Sequence, residues 1–247
     1  MEFEHEKRPL LLVPALVIGI CMILTALVAG RYIVKAKAGN SIDVTGSAQR
    51  IIDSDVVKWR ITLTRTAPKD TMGDGYKLLK SDLQALQSFL NKNGVASGIT
   101  IAPVGIESVM NYGYAEKGSE GPVAYTFRQE VTVESQDIAK ITRVAQDASS
   151  LISGGALIST ASLEYFYSKL PELKIAMLSA ATEDAKNRAA GIAESAGASL
   201  GGLRSASMGV FQITAPNSTE VSDYGMIDTA SVKKQITAVI RASFTVR

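Results

Sequence analysis

Residues 178–209 read LSAATEDAKNRAAGIAESAGASLGGLRSASMG. Leu178, Ala181, Ala185, Ala189, Ile192 and Ala196 step by three, four, four, three and four. That spacing is one face of a long helix. Nine alanines lie between Ala176 and Ala198, so the helix is slim and of high intrinsic propensity. Glu183, Asp184, Lys186, Asn187 and Glu194 fall mostly on its other faces. Gly197 supplies the stop, and residues 201–213 lead into a strand. A helix this thin can lie close against a sheet or a neighbouring helix. Its alanines encode no chemistry.

Upstream, the pattern alternates between strand and helix periods. SIDVTGSAQR (residues 41–50) and DVVKWRITLTRT (residues 55–66) read as strands, the second alternating at Val57, Trp59, Ile61 and Leu63. Asp70 and Thr71 stand where a helix cap belongs, and Leu79, Leu83, Leu86 and Leu90 form the apolar stripe that follows. Gly94 closes that helix as a left-handed cap. Residues 98–109 are predicted as one strand. Residues 111–122 form a polar, Gly-rich connection. Tyr125, Phe127, Gln129, Val131 and Val133 then alternate along a further strand. Ser135 and Asp137 open a helix whose expected buried stripe is Ile138, Ile141, Ala145, Ala148 and Ile152. Gly154 and Gly155 end it, and residues 156–167 are another strand. Residues 214–234 read as a loop and residues 235–247 as a closing strand.

The order strand, helix, strand, strand, helix, strand across residues 53–167 is that of a ferredoxin-like unit. With the long Ala-rich helix and the closing strands, it predicts an α+β domain over residues 41–247. Residues 1–9 are then a short tail and residues 31–40 a juxtamembrane linker. Between them, Leu10 to Ala29 is 20 residues without a charge. At about 1.5 Å rise per residue it spans the hydrocarbon of a bilayer. Lys7 and Arg8 flank one end; Arg31, Tyr32, Lys35 and Lys37 flank the other. The run exceeds the apolar core of a cleaved signal peptide, and Ile20 before Cys21 does not fit a lipoprotein signal. An uncleaved single-pass anchor is the reading preferred over a cleaved signal. The count of flanking basic residues slightly favours a cytoplasmic domain, but long domains cross largely regardless of such charges. Ala15, Gly19, Met22, Ala26 and Gly30 share one face of this helix, a pattern that suits close helix packing in a membrane.

The chain resembles the SIMPL-domain family. IDVTGSAQ is similar to that family's opening strand, LQSFLNKNGVASGITI to its helix–glycine–strand passage, and ISGGALISTASLEYFY to its glycine-then-strand passage. The Ala-rich helix with its AGASLGGL ending is the most specific likeness. The resemblance implies a bacterial envelope protein, with the domain periplasmic or otherwise extracytoplasmic. It also implies kinship with a periplasmic immunogenic protein, with stress-associated proteins and with a relative that forms a large hollow ring.

Composition excludes several chemistries. The single Cys21 and single His5 both precede residue 30, so the domain has no thiolate, no imidazole and no Ser–His–Asp triad. A net charge of +2 gives no argument for a nucleic-acid partner. Glu107, Glu130, Glu134 and Glu164 lie in predicted strands, where exposed polar positions are the default and a converging carboxylate pair is the rival. TMGDGYK (residues 71–77) lacks the ending of a phosphate loop and its first glycine at the right distance, and reads as a helix-entry loop. Tyr112 and Tyr114 mark a possible oligomer contact. No catalytic residue, cofactor, metal or small-molecule ligand is expected. The expected partners are the lipid bilayer and further copies of the chain, in a structural, ring-forming and stress-linked role. A carboxylate hydrolase, a ligand-binding module and a pore component are the alternatives.

Overall fold

The computed structural model describes residues 9–37, 40–110 and 121–247. It is an α+β protein with one N-terminal apolar helix, α1 (Pro9–Lys37), and one long helix further on, α5 (Leu170–Ser195). The remaining elements are β1 (Ser41–Asp53), β2 (Val56–Pro68), α2 (Met72–Lys92), β3 (Ile99–Ile101), β4 (Gly105–Met110), β5 (Pro122–Ser135), α3 (Ile138–Asp147), α4 (Ser149–Ser153), β6 (Ile158–Phe166), β7 (Leu200–Met208), β8 (Gln212–Thr214), β9 (Met226–Ile227) and β10 (Lys233–Val246). Contacts group these into two compact units. One takes residues 1–47, 181–209 and 239–247; the other takes residues 48–180 and 210–238.

The larger unit holds a sheet in the order β3–β5–β2–β6, with β4 also on β5. Every pairing in it is antiparallel. The alternation Val57, Trp59, Ile61, Leu63 turns those four side chains to one face, where each is at most 1% exposed. Phe127, Val131 and Val133 join them from β5, and Leu79, Leu86 and Leu90 from α2. Burying each such side chain contributes roughly 1.5–3 kcal/mol, so this core dominates the unit's stability. Trp59 is a core residue. In the same unit β8 pairs antiparallel with the first residues of β10 and parallel with β9.

Several local expectations are corrected. Residues 98–109 form two strands, because the segment Ala102–Val104, with Pro103 at its centre, interrupts the ladder. Thr71 makes no side-chain cap hydrogen bond and is the last residue of a single 3-10 turn, Lys69–Thr71. Asp137 does cap α3, accepting from the Lys140 amide. The helix expected to run on to Ile152 breaks at Ala148, between α3 and α4. Its buried stripe is Ile141, Val144 and Ala148, and Ile152 is 53% exposed. The stretch 214–234 contains β9 and is not all loop. TMGDGYK is mostly the first turn of α2, where Gly75 is buried. A Cβ at Gly75 would lie 2.6 Å from the Ala67 Cβ and 3.0 Å from the Phe127 ring, so this glycine serves packing.

In the smaller unit, β1 and β10 are neighbours and β7 flanks β10. The β7 ladder runs from Met208 opposite Ile240 to Leu200 opposite Val246. The Ala-rich helix, which enters this unit at Ala181, buries Ala181, Ala185, Ala189 and Ala193 here and Leu173 and Met177 in its first turns, which belong to the larger unit. These recur at every fourth residue, the ridge that inclines across a helix surface. The expected stripe is therefore corrected at its far end: Ile192 is 51% exposed and Ala196 is exposed, while Ala193 is buried. Gly46 of β1 explains the need for small residues. A Cβ there would lie 2.7 Å from the Ala185 Cβ and would also collide with the Ala181 carbonyl oxygen and the Ala185 amide nitrogen. The Asp184 carboxylate reinforces the contact by accepting from the Ser47 amide at 2.8 Å and from Arg188 at 2.8 Å. At the other end of β1, the Asn40 carbonyl accepts from the Val246 amide. Only residues 38–40 separate α1 from β1.

Candidate functional site

In α1, Pro14–Arg31 is long and apolar enough to cross a membrane, and none of it is buried. Ala15, Gly19, Met22, Ala26 and Gly30 all lie on this helix. Met22 is 68% exposed, and a Cβ placed at Gly19 or Gly30 meets nothing. The packing face is thus open among the described residues. Tyr112 and Tyr114 lie outside the described residues.

The strand glutamates take definite positions on the solvent side of the larger unit's sheet. Register sets Glu134 opposite Lys58 on β2, and β6 sets Glu164 opposite the same lysine. Arg60 sits between Glu130, at 3.3 Å, and Glu164, at 3.5 Å, while Lys58 pairs with Glu134 at 3.2 Å. The carboxylates converge, but each is matched by a cation. Most of these side chains are about half exposed, so the ladder contributes at most roughly 1 kcal/mol per pair. Glu107 stands apart, opposite Thr126. Among the described residues no cluster of His, Cys, Asp or Glu has the arrangement to hold a metal.

Two concavities stand out, one in each unit. In the smaller unit an open groove of about 880 Å³ runs between β1 and α5, lined by Asp43, Thr45, Arg188, Gly191, Ile192 and Ser195. Arg188 is occupied by Asp184. In the larger unit a smaller, more enclosed cavity of about 60 Å³ is walled by Ile52, Tyr165, Phe166 and Ile213 and floored by Asp228 and Lys234.

The floor of that second cavity is built by a compact turn. Lys234 is the second residue of β10 and is 3% exposed. Its ammonium donates to the Asp228 and Ser231 carbonyl oxygens, both at 2.6 Å. The Asp228 Oδ1 accepts from the Ala230 and Ser231 amides, at 2.8 and 3.3 Å. Asp228 Oδ2 is buried without a hydrogen-bond partner and lies 3.8 Å from the Lys234 Nζ. Burial pushes the Lys234 pKa below the ordinary lysine value, with Asp228 opposing the shift. Burial pushes Asp228 up, but hydrogen bonds from Ser231 and Ala230 and the charge of Lys234 outweigh it, leaving the carboxyl below its ordinary value. The Asp228 carboxyl is therefore ionised at neutral pH. Sequence reasoning missed this pair because both members fall in the stretch taken as a polar loop. Only the Lys233–Lys234 pair ahead of an alternating strand hinted at it.

Arg65 and Asp82 form a second internal pair, at 2.6 Å and 2.8 Å, and Arg65 also donates to the Gly155 carbonyl. It ties α2 to β2 and to the turn after α4. No cavity opens onto it among those described.

Residues 42–246 match the SIMPL family model, described as a protein of unknown function (DUF541). No curated protein matches the chain. The match spans the strands, the Gly46–Ala185 contact and the cavity floor, and the chain belongs to the SIMPL family.

Proposed function

We propose that this SIMPL-family chain is a membrane-anchored envelope protein that assembles with copies of itself, as a ring, in a structural and stress-linked role without enzymatic activity. The apolar helix α1 carries the reading, since a helix exposed over the whole of Pro14–Arg31 needs a lipid or protein cover in place of water. With α1 as a bilayer anchor, the family domain lies on the periplasmic side of the inner membrane. Anchoring many copies in one plane raises their effective concentration, so weak contacts between domains suffice for assembly. Support for such contacts comes from edge strands with uncovered apolar side chains. Ile106 and Met110 of β4 are 52% and 45% exposed, and Leu203 and Met208 of β7 are 53% and 60% exposed.

The pairing of Glu130 and Glu164 with Arg60 favours this reading over a carboxylate hydrolase, which needs one carboxyl free to hold or take a proton. The apolar character of α1 favours it over a water-filled pore, which needs polar lining. Two measurements test it together. The full-length protein is expected to stay with membranes through alkaline carbonate washing and to leave only with detergent. Mass photometry of the detergent-extracted protein is expected to give one discrete oligomer. A monomer in detergent overturns the assembly, and release by carbonate overturns the anchor.

A further inference from the structure

The open groove of the smaller unit runs along a strand edge. Among the described residues β1 pairs with β10 and with no other strand. Two hydrogen bonds fix which of its residues face outward. The Asn40 carbonyl accepts from the Val246 amide of β10, whereas the Ser47 amide donates to Asp184 on α5. Backbone groups alternate along a strand, so the even-numbered residues bond to β10, and Asp43, Thr45 and Ser47 turn their amides and carbonyls the other way. Asp184 caps that edge at Ser47. Asp43 and Thr45 remain, and both line the groove together with Gly191, Ile192 and Ser195 of α5. Ile192 is 51% exposed, and a Cβ at Gly191 meets nothing within 4 Å. An unpaired edge beside an apolar helix side is a geometry that accepts an added strand, with main-chain hydrogen bonds for affinity and side-chain contacts for choice.

The far side of the same sheet ends in a strand with matching features. Among the described residues β7 pairs with β10 alone. The Gly209 amide donates to the Val239 carbonyl, so by the same alternation Ala206 and Met208 present their amides and carbonyls outward. Met208, Ala206 and Leu203 stand opposite Ile240, Ala242 and Phe244, which are all buried. Opposed residues share a face, so these β7 side chains lie on the core side of the sheet, yet Leu203 and Met208 remain 53% and 60% exposed. The charges are complementary as well. Asp43 in the groove and Arg204 on β7 make no ion pair among the described residues. We infer that the β1–α5 groove is the docking site for β7 of a second copy, joined head to tail so that one sheet runs on from copy to copy. Docking pairs both free edges, covers Ile192 with the apolar side of β7 and brings Arg204 toward Asp43. Each copy gives one edge and receives the other, so the contact is heterologous and repeats into a ring or a filament. The inference rests on the self-assembly proposed above and names the surface that carries it.

Proline at an outward-facing edge position removes an amide that points away from β10, and edge strands tolerate it. Thr45→Pro therefore blocks the receiving edge and Ala206→Pro the giving edge, each leaving the other edge intact. Sedimentation velocity of the full-length protein in detergent reads the outcome. Wild type is expected as a discrete oligomer and each proline variant as a single copy. An equimolar mixture of the two variants holds one intact pair of edges and should give a species with one copy of each. Gly191→Leu fills the groove from the open side of α5. It should dissolve the oligomer while keeping the wild-type circular dichroism, so the test stands even if a proline variant fails to fold. A wild-type oligomer that survives Gly191→Leu, or a mixture of folded proline variants that forms no pairs, overturns the inference; the assembly then stands on another surface. A monomeric wild type overturns both the inference and the assembly on which it rests.

Discussion

Replacing Gly46 with alanine tests how the Ala-rich helix seats on its strand. The added methyl would sit 2.7 Å from the Ala185 Cβ and closer still to the Ala181 carbonyl and the Ala185 amide. Two of those three obstacles are helix backbone, which cannot rotate aside as a flexible side chain would. Either the helix lifts or the strand bends. Overpacking of this kind costs about 1–3 kcal/mol, and the backbone obstacles place it toward the upper end. For a chain of this size each kcal/mol moves the midpoint by roughly 2–4 °C, so Gly46→Ala should lower it by about 6–12 °C. The paired control is Gly191→Ala on the exposed side of the same helix, where a Cβ meets nothing within 4 Å. Alanine there removes the glycine penalty in a helix, about 0.8–1.0 kcal/mol, and should raise the midpoint by roughly 2–4 °C. Thermal unfolding of the full-length protein in detergent, followed by circular dichroism, reads both. Identical substitutions should thus move stability in opposite directions. A Gly46→Ala protein as stable as wild type refutes the packing argument.

Three further outcomes follow from the same structure. Asp82→Ala strips the carboxylate from Arg65, whose side chain is only 17% exposed, and should cost about 3 kcal/mol in denaturant unfolding; the double substitution Arg65→Met, Asp82→Leu should recover most of it. The Asp55 carboxyl is pushed up by burial but held below its ordinary value of 3.8 by the Ser168 hydroxyl and amide. Its contribution to stability is therefore present above that value and lost as the pH falls through the lower folded value. Asp55→Asn should destabilise the protein at neutral pH, and the gap to wild type should close in acid below pH 3.8. Gly19→Ile fills the small-residue face of α1 and should weaken association in detergent without changing the unfolding midpoint of the domain, as mass photometry and calorimetry together would show.

Strict periodicity made the main elements legible. Val57 to Leu63 at period two, and Leu79 to Leu90 at helical spacing, each face one continuous core. The far end of α5 was harder. Mixed three- and four-residue steps fit a helix facing one fixed direction, but the buried ridge follows a constant step of four through Ala193. Alanine occupies both the buried and the exposed positions there, so composition could not separate Ala193 from Ala196. Pro103 and Ala148 interrupt otherwise regular patterns, and an interruption of one residue leaves the surrounding periodicity almost intact. The Lys234–Asp228 cavity was invisible for another reason. Its parts come from β1, β6, β8 and the turn before β10, and no local pattern joins segments so far apart in sequence. Gly46 is the intermediate case: a glycine in a strand announces a close approach, but only the fold shows that the partner is Ala185.

The short join between α1 and β1 has a mechanical consequence. From Lys37 to Ser41 the chain reaches at most about 14 Å, and the Asn40 carbonyl is already bonded to the Val246 amide. With α1 in a bilayer, as proposed above, the first element of the domain after it is β1, which is held beside β10 in the sheet. On that proposal, a force on the helix would be met first by the strand that carries Gly46, against which the Ala-rich helix is seated.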